Sequence, residues 1–546
     1  MSKDSLAADI GYVVEVQGER VRVELTVDTT KPLMDGYYPG QPGSYVKIPS
    51  QGHRIIGIVS GVKVETTAPF GEITVSPSSR KIADCVLLGT LSSSGRFARG
   101  VIVYPNVGHP VQMVTAKELE MIFSEFIEFG FSFGHPSSAE RERVYIDVDK
   151  FFGHHIAVLG ATGSGKSCTV ASILQEVIKK YANAHIVVLD LHGEYRAAFP
   201  EESNLIQAEN AELPYWLLNF DEFVDLLVDK SEMTAKNQIT VLRDCLVRAR
   251  QAWDTKEQLG LGSLLTADSP VCFDFDDMVS MIREWNIQMI YNAKGELEEG
   301  PLYGAFEKFL IRLDSKLSDP RYNFIFKPTT YTKSATFPDL LRSYLSVESP
   351  HRITLIDLSG VPSEAVEVVV ALVVRLVFEF NLWNPQREQC PILLVLEEAH
   401  NYVPSKSDDR FTAARTAVER ITKEGRKYGV GLIVVSQRPK ELSETVLSQC
   451  GTFIAMRLTN PEDQNYVRRL VPDSLAGLMN MLPALRTGEA LILGEAVAMP
   501  TRMMVDLPNP KPMSGDIEFA RWWSDGPGEV DIEGVVKRWR TRRRDI

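Results

Sequence analysis

The first 115 residues carry short stretches in which apolar and polar side chains alternate. Residues 11–25 alternate around the turn Gly18-Glu19, a pattern typical of a β-hairpin. Further short strands are predicted at 44–48, 54–62 and 72–75, with glycine and proline between them. Small strands at this spacing are typical of compact closed sheets, so the region predicts a small β-barrel.

The pattern changes after a predicted helix at 115–129 and a predicted linker at 130–139 that is rich in Gly, Ser and Pro. From residue 144 onward, near-continuous apolar segments alternate with helical ones, as expected for a parallel sheet covered on both faces. The predicted strands of this sheet are 155–159, 186–190, 353–357, 392–398, 432–437 and 453–457.

The strand pattern lapses between about 210 and 345, where helical stretches such as 234–250 and 301–317 indicate an inserted helical subdomain. The most apolar stretch, 366–380, is interrupted by three charged residues and predicts a buried helix rather than a membrane span. The predicted domains are a barrel with its linker, an α/β core with the helical insertion, and an extension with a basic tail, at 1–140, 141–510 and 511–546.

The strongest chemical signal lies between the predicted strand 155–159 and a helical stretch. It matches the phosphate-loop pattern GxxxxGK[ST] at every fixed position, with the sequence Gly160-Ala161-Thr162-Gly163-Ser164-Gly165-Lys166-Ser167. Its glycines let amide N–H groups point inward, and the helix N-terminus completes an anion cradle. We expect Lys166 to reach the β- and γ-phosphates and Ser167 to hold Mg²⁺. Cys168 ends the predicted nucleotide-binding stretch and is expected to be a small buried residue. The sequence therefore predicts binding of a nucleoside triphosphate.

An acid pair forms the end of the predicted strand 392–398. A carboxylate at a strand end near a phosphate loop can anchor Mg²⁺, and a second can orient and deprotonate the attacking water. We assign Glu397 to the metal and Glu398 to the water. An inert surface pair is the alternative, which the four apolar residues ahead of the pair disfavour.

Polar residues also end two other predicted strands. Gln437 is a candidate sensor of the γ-phosphate, although a simple loop amide is the alternative. Asp190 and the segment 192–194 end the strand 186–190, at the edge of the sheet where ligands bind. They are candidates for contact with magnesium, the attacking water or a neighbouring subunit, and the sequence leaves these three alternatives open.

Arginines enter the prediction because phosphoryl transfer spreads negative charge over the γ-phosphate oxygens. Arg426, which lies between a helix and the strand 432–437, is the first choice for a finger that reaches a neighbour's nucleotide. Arg457, at the end of the strand 453–457, is the second. For either one, a solvated or salt-bridged side chain is an equally weighted alternative.

Composition narrows the function classes. The net charge of −13 argues against broad DNA binding over the outer surface, but a ring can carry basic residues inside a channel. The amino terminus has no apolar signal segment. The six cysteines lack any CxxC pair, which fits a reducing cytoplasm without disulfides or zinc. The basic run 537–544 is either a solvated tail or a contact for DNA or a partner.

Several segments together resemble the HerA branch of the HerA–FtsK ATPases. Besides the phosphate loop, they are DLHGEY at 190–195, LEEAHNYVP at 396–404, EGRKYG at 424–429 and SQRP at 436–439. The last three, in this order and spacing, are much more specific than the phosphate loop. The resemblance covers most of the chain and implies an α/β fold with a RecA-like P-loop NTPase core, a parallel sheet and an N-terminal small β-barrel.

The resemblance also implies a homohexamer that hydrolyses ATP with Mg²⁺ and moves double-stranded DNA through a central channel. In the family the barrel docks a partner, either a nuclease or a sirtuin-like effector, in DNA end processing or anti-phage defence. Lys406 and Arg410 are candidates for DNA contact, with solvent exposure as an equal alternative. Two other functions stay open: an ATP-dependent scaffold that activates a bound effector, and a protein-remodelling ATPase.

Overall fold

The computed structural model describes residues 9–31, 38–50, 52–65, 80–207, 211–405, 412–515, 517–526, 528 and 530–541. The strands are β1 Asp9–Gln17, β2 Arg20–Leu25, β3 Tyr45–Ser50, β4 His53–Glu65, β5 Arg80–Leu91, β6 Phe97–Arg99, β7 Pro110–Met113, β8 Gly134–Pro136, β9 Ile156–Leu159, β10 His185–Asp190, β11 Ser203–Gln207, β12 Met289–Tyr291, β13 Leu297–Glu299, β14 Ile353–Asp357, β15 Ile392–Leu396, β16 Val430–Ser436, β17 Thr452–Met456, β18 Glu489–Gly494 and β19 Thr501–Val505.

The helices are α1 Ala116–Phe123, α2 Val148–Gly153, α3 Lys166–Lys180, α4 Phe220–Leu227, α5 Ala235–Glu257, α6 Phe275–Asn286, α7 Glu307–Ser318, α8 Asn323–Phe326, α9 Phe337–Leu345, α10 Ser363–Trp383, α11 Thr412–Glu424, α12 Glu444–Ser448, α13 Pro461–Leu470, α14 Phe519–Asp525 and α15 Ile532–Thr541. Within the described ranges, no helix is both long enough and apolar enough to cross a membrane.

The described residues form two compact units. The first unit lies within 1–182 and 432–515, and the second unit lies within 183–431 and 516–546. The phosphate loop belongs to the first unit and the acid pair belongs to the second.

The first unit begins with the predicted β-barrel. Its strands follow the order β2-β1-β7-β3-β4-β5, and pairing of β2 with β5 closes the barrel, while β6 extends from β5. Alternating side chains of the hairpin β1–β2, such as Val13, Val21 and Val23, fill its interior. The predicted hairpin and the strands at 44–48 and 54–62 are confirmed, and the predicted strand at 72–75 lies outside the described residues. We did not predict β5, β6 or β7; in the long strand β5, buried residues do not alternate with exposed ones.

The predicted helix at 115–129 is shorter in the structure, and the predicted linker after it is partly a strand. Thr115 and Glu118 form a capping box that starts α1, which ends at Phe123 before a short 3₁₀ turn. Within the segment expected to be a linker, β8 pairs with β19.

The sheet of the first unit runs in the order β16-β9-β17-β18-β19-β8. Strands β16, β9 and β17 are parallel, as predicted. The prediction described only a parallel sheet, whereas β18, β19 and β8 extend this sheet with antiparallel strands. All four residues of β9 are buried, which agrees with its near-continuous apolar sequence.

The second unit contains the parallel strands β11-β14-β10-β15 in that order. Between β11 and β14 the chain forms α4 to α9 and the hairpin β12–β13. The fully buried Arg250 helps hold this helical region together, donating to the carbonyl oxygens of Ala267 and, at 2.9 Å, Leu218. Helix α10 contains the predicted stretch 366–380 and is largely buried, and its Arg375 forms a 2.9 Å ion pair with Glu222 of α4.

Candidate nucleotide site

The phosphate loop connects the buried strand β9 to helix α3, as the sequence predicts. Its glycines are required by the backbone, because Gly163 has a φ of 69° and Gly165, the N-cap of α3, a φ of 102°. At Gly160 a Cβ would lie 2.6 Å from Ser164 Oγ and 2.9 Å from Met456 Cβ. A side chain at any of these three positions would strain or displace the loop.

The residues that follow the loop open helix α3. Lys166 is only 7 % exposed, and its Nζ donates to the Ala161 carbonyl oxygen at 3.4 Å, so the ammonium group lies over the loop. Ser167 is half-buried in the first turn of the helix. Cys168 is also half-buried, which corrects the expectation of a buried residue. The first amide groups of α3 lack intrahelical acceptors by geometry and suit an anion.

Two residues predicted from distant strand ends contact the phosphate loop directly. The Thr162 hydroxyl donates to the amide oxygen of Gln437 at 2.5 Å, just beyond β16. Arg457, just beyond β17, donates from Nη2 to the Gly163 carbonyl oxygen at 3.4 Å. Its own carbonyl oxygen accepts from the Ala161 amide at 2.8 Å. Gln437 and Arg457 therefore both contact the phosphate loop of their own chain.

A third contact with the loop was missed by the sequence analysis. The Gly488 amide, just before β18, donates to the Ser164 carbonyl oxygen at 2.9 Å. The neighbouring Thr487 hydroxyl donates to the Gly163 carbonyl oxygen at 3.4 Å. The segment Arg-Thr-Gly-Glu at 486–489 has the composition of an ordinary turn, so no local signal identified it.

In the second unit, the acid pair follows directly after β15. Glu397 is 2 % exposed, and its Oε2 accepts from the Tyr195 hydroxyl at 2.9 Å. Burial raises the pKa of Glu397 to about 8, and the nearby Glu398 adds to this, while the Tyr195 hydrogen bond opposes it. The Tyr402 hydroxyl donates to the backbone carbonyl oxygen of Glu397 at 2.7 Å. A buried carboxylate of this kind is suited to a cation, which would compensate its charge.

Glu398 has an unusual backbone conformation for a residue with a side chain. Its φ is 47°, in the left-handed region, and the residue is 7 % exposed. Its Oε2 lies 3.3 Å from Nδ1 of His400. Strained conformations of non-glycine residues concentrate at functional sites, where the surrounding structure must hold them. The strain at Glu398 agrees with a functional role rather than an inert surface pair.

Asp190, at the end of β10, shapes the turn that leads to Tyr195. Its carboxylate accepts from the amides of His192 at 3.3 Å, Gly193 at 2.9 Å and Tyr195 at 2.9 Å. Burial raises the pKa of Asp190, and the backbone hydrogen bonds from Tyr195 and His192 oppose the rise. The carboxylate therefore holds the turn that presents the Tyr195 hydroxyl to Glu397. The three alternatives that the sequence left open for 190–194 did not include this role.

Three candidates remain: Arg426, Lys406 and Arg410. Arg426 lies in the 3₁₀ turn Gly425–Tyr428 after α11 and is exposed, as a side chain that acts on a neighbouring subunit has to be. Lys406 and Arg410 lie outside the described residues. Among the described residues, no group of three or more His, Cys, Asp or Glu side chains is arranged to hold a metal ion. This is compatible with Mg²⁺, which takes few protein ligands when substrate phosphates supply the others.

A glycine-rich loop between a buried parallel strand and a helix, and a buried glutamate at the end of another parallel strand, define the class of P-loop nucleoside triphosphate hydrolases. Two family models match the chain: the one described as "Helicase HerA, central domain" at residues 131–377, and the one described as "Helicase HerA-like C-terminal" at 385–508. The chain belongs to the HerA helicase family. It is an ATP hydrolase of the DNA translocase and helicase type.

Relatives named "DNA double-strand break repair helicase HerA" align over most of the chain. The protein from Sulfurisphaera tokodaii is 27 % identical, covering 97 % of this chain and 99 % of its own. The protein from Sulfolobus acidocaldarius is 29 % identical, with the same coverage of 97 % and 99 %. The protein from Pyrococcus furiosus is 28 % identical over 78 % of this chain and 77 % of its own.

Solved structures with similar folds include two bacterial proteins. VirB4 of Thermoanaerobacter pseudethanolicus superimposes with a TM-score of 0.47 at 15 % identity, over 69 % of this chain and 96 % of its own. The bacterial conjugative coupling protein TrwB has a TM-score of 0.46 at 13 % identity, over 74 % of this chain and 95 % of its own.

Proposed function

We propose that this protein is an ATP-driven hexameric translocase of double-stranded DNA that works with a partner nuclease or other effector. The observation that carries the proposal is the phosphate loop itself, contacted by Gln437 and Arg457 within a chain that matches the HerA helicase models. The relatives are named for DNA double-strand break repair, so DNA end processing is the cellular role that we favour over anti-phage defence.

In this proposal ATP lies on the phosphate loop 160–168, with its phosphates on the Gly165 amide and on the first amides of α3. Lys166 neutralises the β- and γ-phosphates, and Ser167 together with Glu397 would hold Mg²⁺. The metal ion would neutralise charge on the phosphates. Glu398 takes the proton of the attacking water.

Gln437 and Arg457 have distinct parts in the proposal. Gln437 accepts a hydrogen bond from the Thr162 hydroxyl of the phosphate loop, which places its amide where it can sense the γ-phosphate. Arg457 acts on the nucleotide of its own subunit, because its guanidinium already contacts the loop of its own chain. Arg426 remains the candidate for the finger that reaches a neighbour's nucleotide across a subunit junction.

The barrel is the proposed docking site of the effector. Its segment between β6 and β7 exposes four large apolar side chains, with Ile102 81 % and Val107 67 % exposed. Val103 and Tyr104 are also more than half exposed. Such a contiguous apolar segment on a protein of net charge −13 is suited to a protein partner rather than to DNA.

ATP hydrolysis with and without duplex DNA tests the translocase. We expect duplex DNA to stimulate hydrolysis, and we expect this stimulation to weaken with salt because the contacts are to phosphates. Absence of stimulation, with the effector present or absent, would favour the scaffold alternative. Stimulation by unfolded polypeptide instead would favour protein remodelling.

Two substitutions separate nucleotide binding from hydrolysis. Lys166→Ala should weaken nucleotide binding, whereas Glu398→Gln should keep binding and slow hydrolysis by roughly 10²–10⁴-fold, the usual contribution of a general base. A normal rate in Glu398→Gln would show that this carboxylate does not activate the water.

Mixed oligomers test the finger in trans. Arg426→Ala should abolish hydrolysis, since an arginine finger contributes roughly 10³–10⁵ in rate. Mixing Arg426→Ala subunits with Lys166→Ala subunits should restore part of the activity, because some junctions then combine an intact loop with an intact arginine. Complete failure of this rescue would contradict a finger in trans, and a strictly monomeric protein would overturn the ring.

A further inference from the structure

The turn at 486–489 holds the back of the phosphate loop. The Gly488 amide and the Thr487 hydroxyl bond the carbonyl oxygens of Ser164 and Gly163, at 2.9 Å and 3.4 Å. The two backbones are close, since a Cβ at Gly165 would lie 3.2 Å from the Gly488 nitrogen. The carbonyl and amide of one trans peptide point in opposite directions. Anchoring the Ser164 carbonyl therefore turns the Gly165 amide away from the turn, toward the anion cradle.

A buried carboxylate holds the turn in place. Glu489 is 0 % exposed, and its Oε2 accepts from the Arg486 amide at 3.0 Å. Its two oxygens also accept from Arg502 of β19, with Nε to Oε1 at 2.7 Å and Nη2 to Oε2 at 3.2 Å. The Glu489 amide in turn donates to the Arg486 carbonyl oxygen at 3.1 Å, which closes the turn around Gly488 at a φ of 78°.

We propose that the Glu489–Arg502 ion pair is a positioning pair that sets the phosphate-binding geometry of the loop through the 486–489 turn. Neither side chain has to touch the nucleotide. The pair fixes the turn, the turn fixes the Ser164 carbonyl, and that carbonyl orients the Gly165 amide toward the phosphate position. This inference rests on nucleotide binding at the phosphate loop and does not depend on DNA or on a partner.

The double variant Glu489→Leu/Arg502→Met tests the pair without leaving a lone buried charge, which would itself destabilise the fold. We expect its dissociation constant for a fluorescent ATP analogue to rise by about tenfold, the effect of one buried hydrogen bond. We also expect KM for ATP to rise more than kcat falls, because the residues that act on the water are unchanged. The unfolding temperature should stay close to that of the wild-type protein.

A matched control is the Arg143–Asp506 ion pair of the same unit, with Nη1 and Oδ1 3.0 Å apart. Asp506 directly follows β19. Within the described part of the chain, Arg143 and Asp506 bond each other and neither forms a hydrogen bond with the phosphate loop. The variant Arg143→Met/Asp506→Leu should bind the analogue as the wild-type protein does. Lys166→Ala serves as the binding-deficient reference.

The outcomes separate the inference from the assignment of the site. Wild-type affinity in a folded Glu489→Leu/Arg502→Met protein overturns the positioning role alone. An equal loss in the Arg143 control also overturns it, because the effect would then be general. Failure of the wild-type protein to bind the analogue overturns the nucleotide site itself. If the double variant does not fold, Glu489→Gln takes its place, because it keeps the shape of the side chain. We expect the same tenfold rise in its dissociation constant for the analogue.

Discussion

The hydroxyl of Tyr195 offers a sharp test of the magnesium role proposed for Glu397. Tyr195→Phe removes only the hydroxyl that donates to Glu397 Oε2 at 2.9 Å, in a site where Tyr195 is 0 % exposed. That hydrogen bond favours the charged form of the carboxylate, which is the form that binds a metal ion. Without it, burial leaves the carboxylate more readily protonated, and Mg²⁺ has to compete with that proton.

The expected magnitude follows from the kind of hydrogen bond that is lost. A buried hydrogen bond to a charged group contributes about 1.5–3 kcal/mol, which corresponds to roughly 10- to 100-fold in an equilibrium constant. We therefore expect Tyr195→Phe to reduce the enhancement of nucleotide binding by Mg²⁺ by at least about tenfold. Binding in the absence of Mg²⁺ should be unchanged, because the hydroxyl contacts the carboxylate and not the phosphate loop.

The assay is the dissociation constant of a non-hydrolysable ATP analogue, measured with Mg²⁺ and with EDTA. The ratio of the two constants isolates the contribution of the metal ion. Tyr402→Phe is a matched control, because this buried hydroxyl donates to the backbone carbonyl of the same Glu397 at 2.7 Å. It should lower the free energy of unfolding by about 1 kcal/mol but leave the ratio unchanged. Equal ratios in the wild-type protein and both variants would refute the reasoning, and so would an equal loss in Tyr402→Phe.

Three further predictions concern the first unit. Gly165→Ala should abolish nucleotide binding, because the φ of 102° is strained for alanine, whereas Gly153→Ala, with no atom within 4 Å of the new Cβ, should bind normally in the same titration. Thr162→Val should change kcat with little change in analogue affinity, because it removes the hydroxyl bonded to Gln437; steady-state kinetics that show only a KM effect would contradict this sensing contact. Burial by itself raises the pKa of Glu489 and of Glu118. Hydrogen bonds from Arg502 to Glu489 and from Lys47 to Glu118 have the opposite effect, and the pKa of each carboxyl falls from 4.5 to about 2. Relative to the protonated carboxyl, ionisation of each contributes about 3 kcal/mol of stability, which is complete above pH ~4.5 and is lost as the pH falls toward 2. The free energy of unfolding, measured with urea across this pH range, should show the loss, and Glu118→Gln should make its dependence on pH less steep. An unchanged pH dependence in that variant would argue against a lowered pKa of Glu118.

Local sequence patterns were sufficient to predict the strands that lead into the candidate site residues. The six predicted strands of the core correspond to β9, β10, β14, β15, β16 and β17, because strands buried on both faces require near-continuous apolar sequence. The strands β18 and β19 were missed, although residues of β18 are nearly all buried. They form an antiparallel extension of the sheet, and the strand–helix alternation used for prediction does not describe such a hairpin.

The sequence by itself identified the phosphate loop and the acid pair as candidates, because each is a contiguous segment whose residue types match a local backbone geometry and the chemistry expected of them. Only the tertiary structure decided which residues support them. Thr487 meets Gly163 across 324 positions, and Tyr195 meets Glu397 across 202. Such contacts depend on the order of strands in a sheet and on the turns between them, and a buried carboxylate takes whatever donor the fold brings within reach, so no spacing along the chain could reveal them.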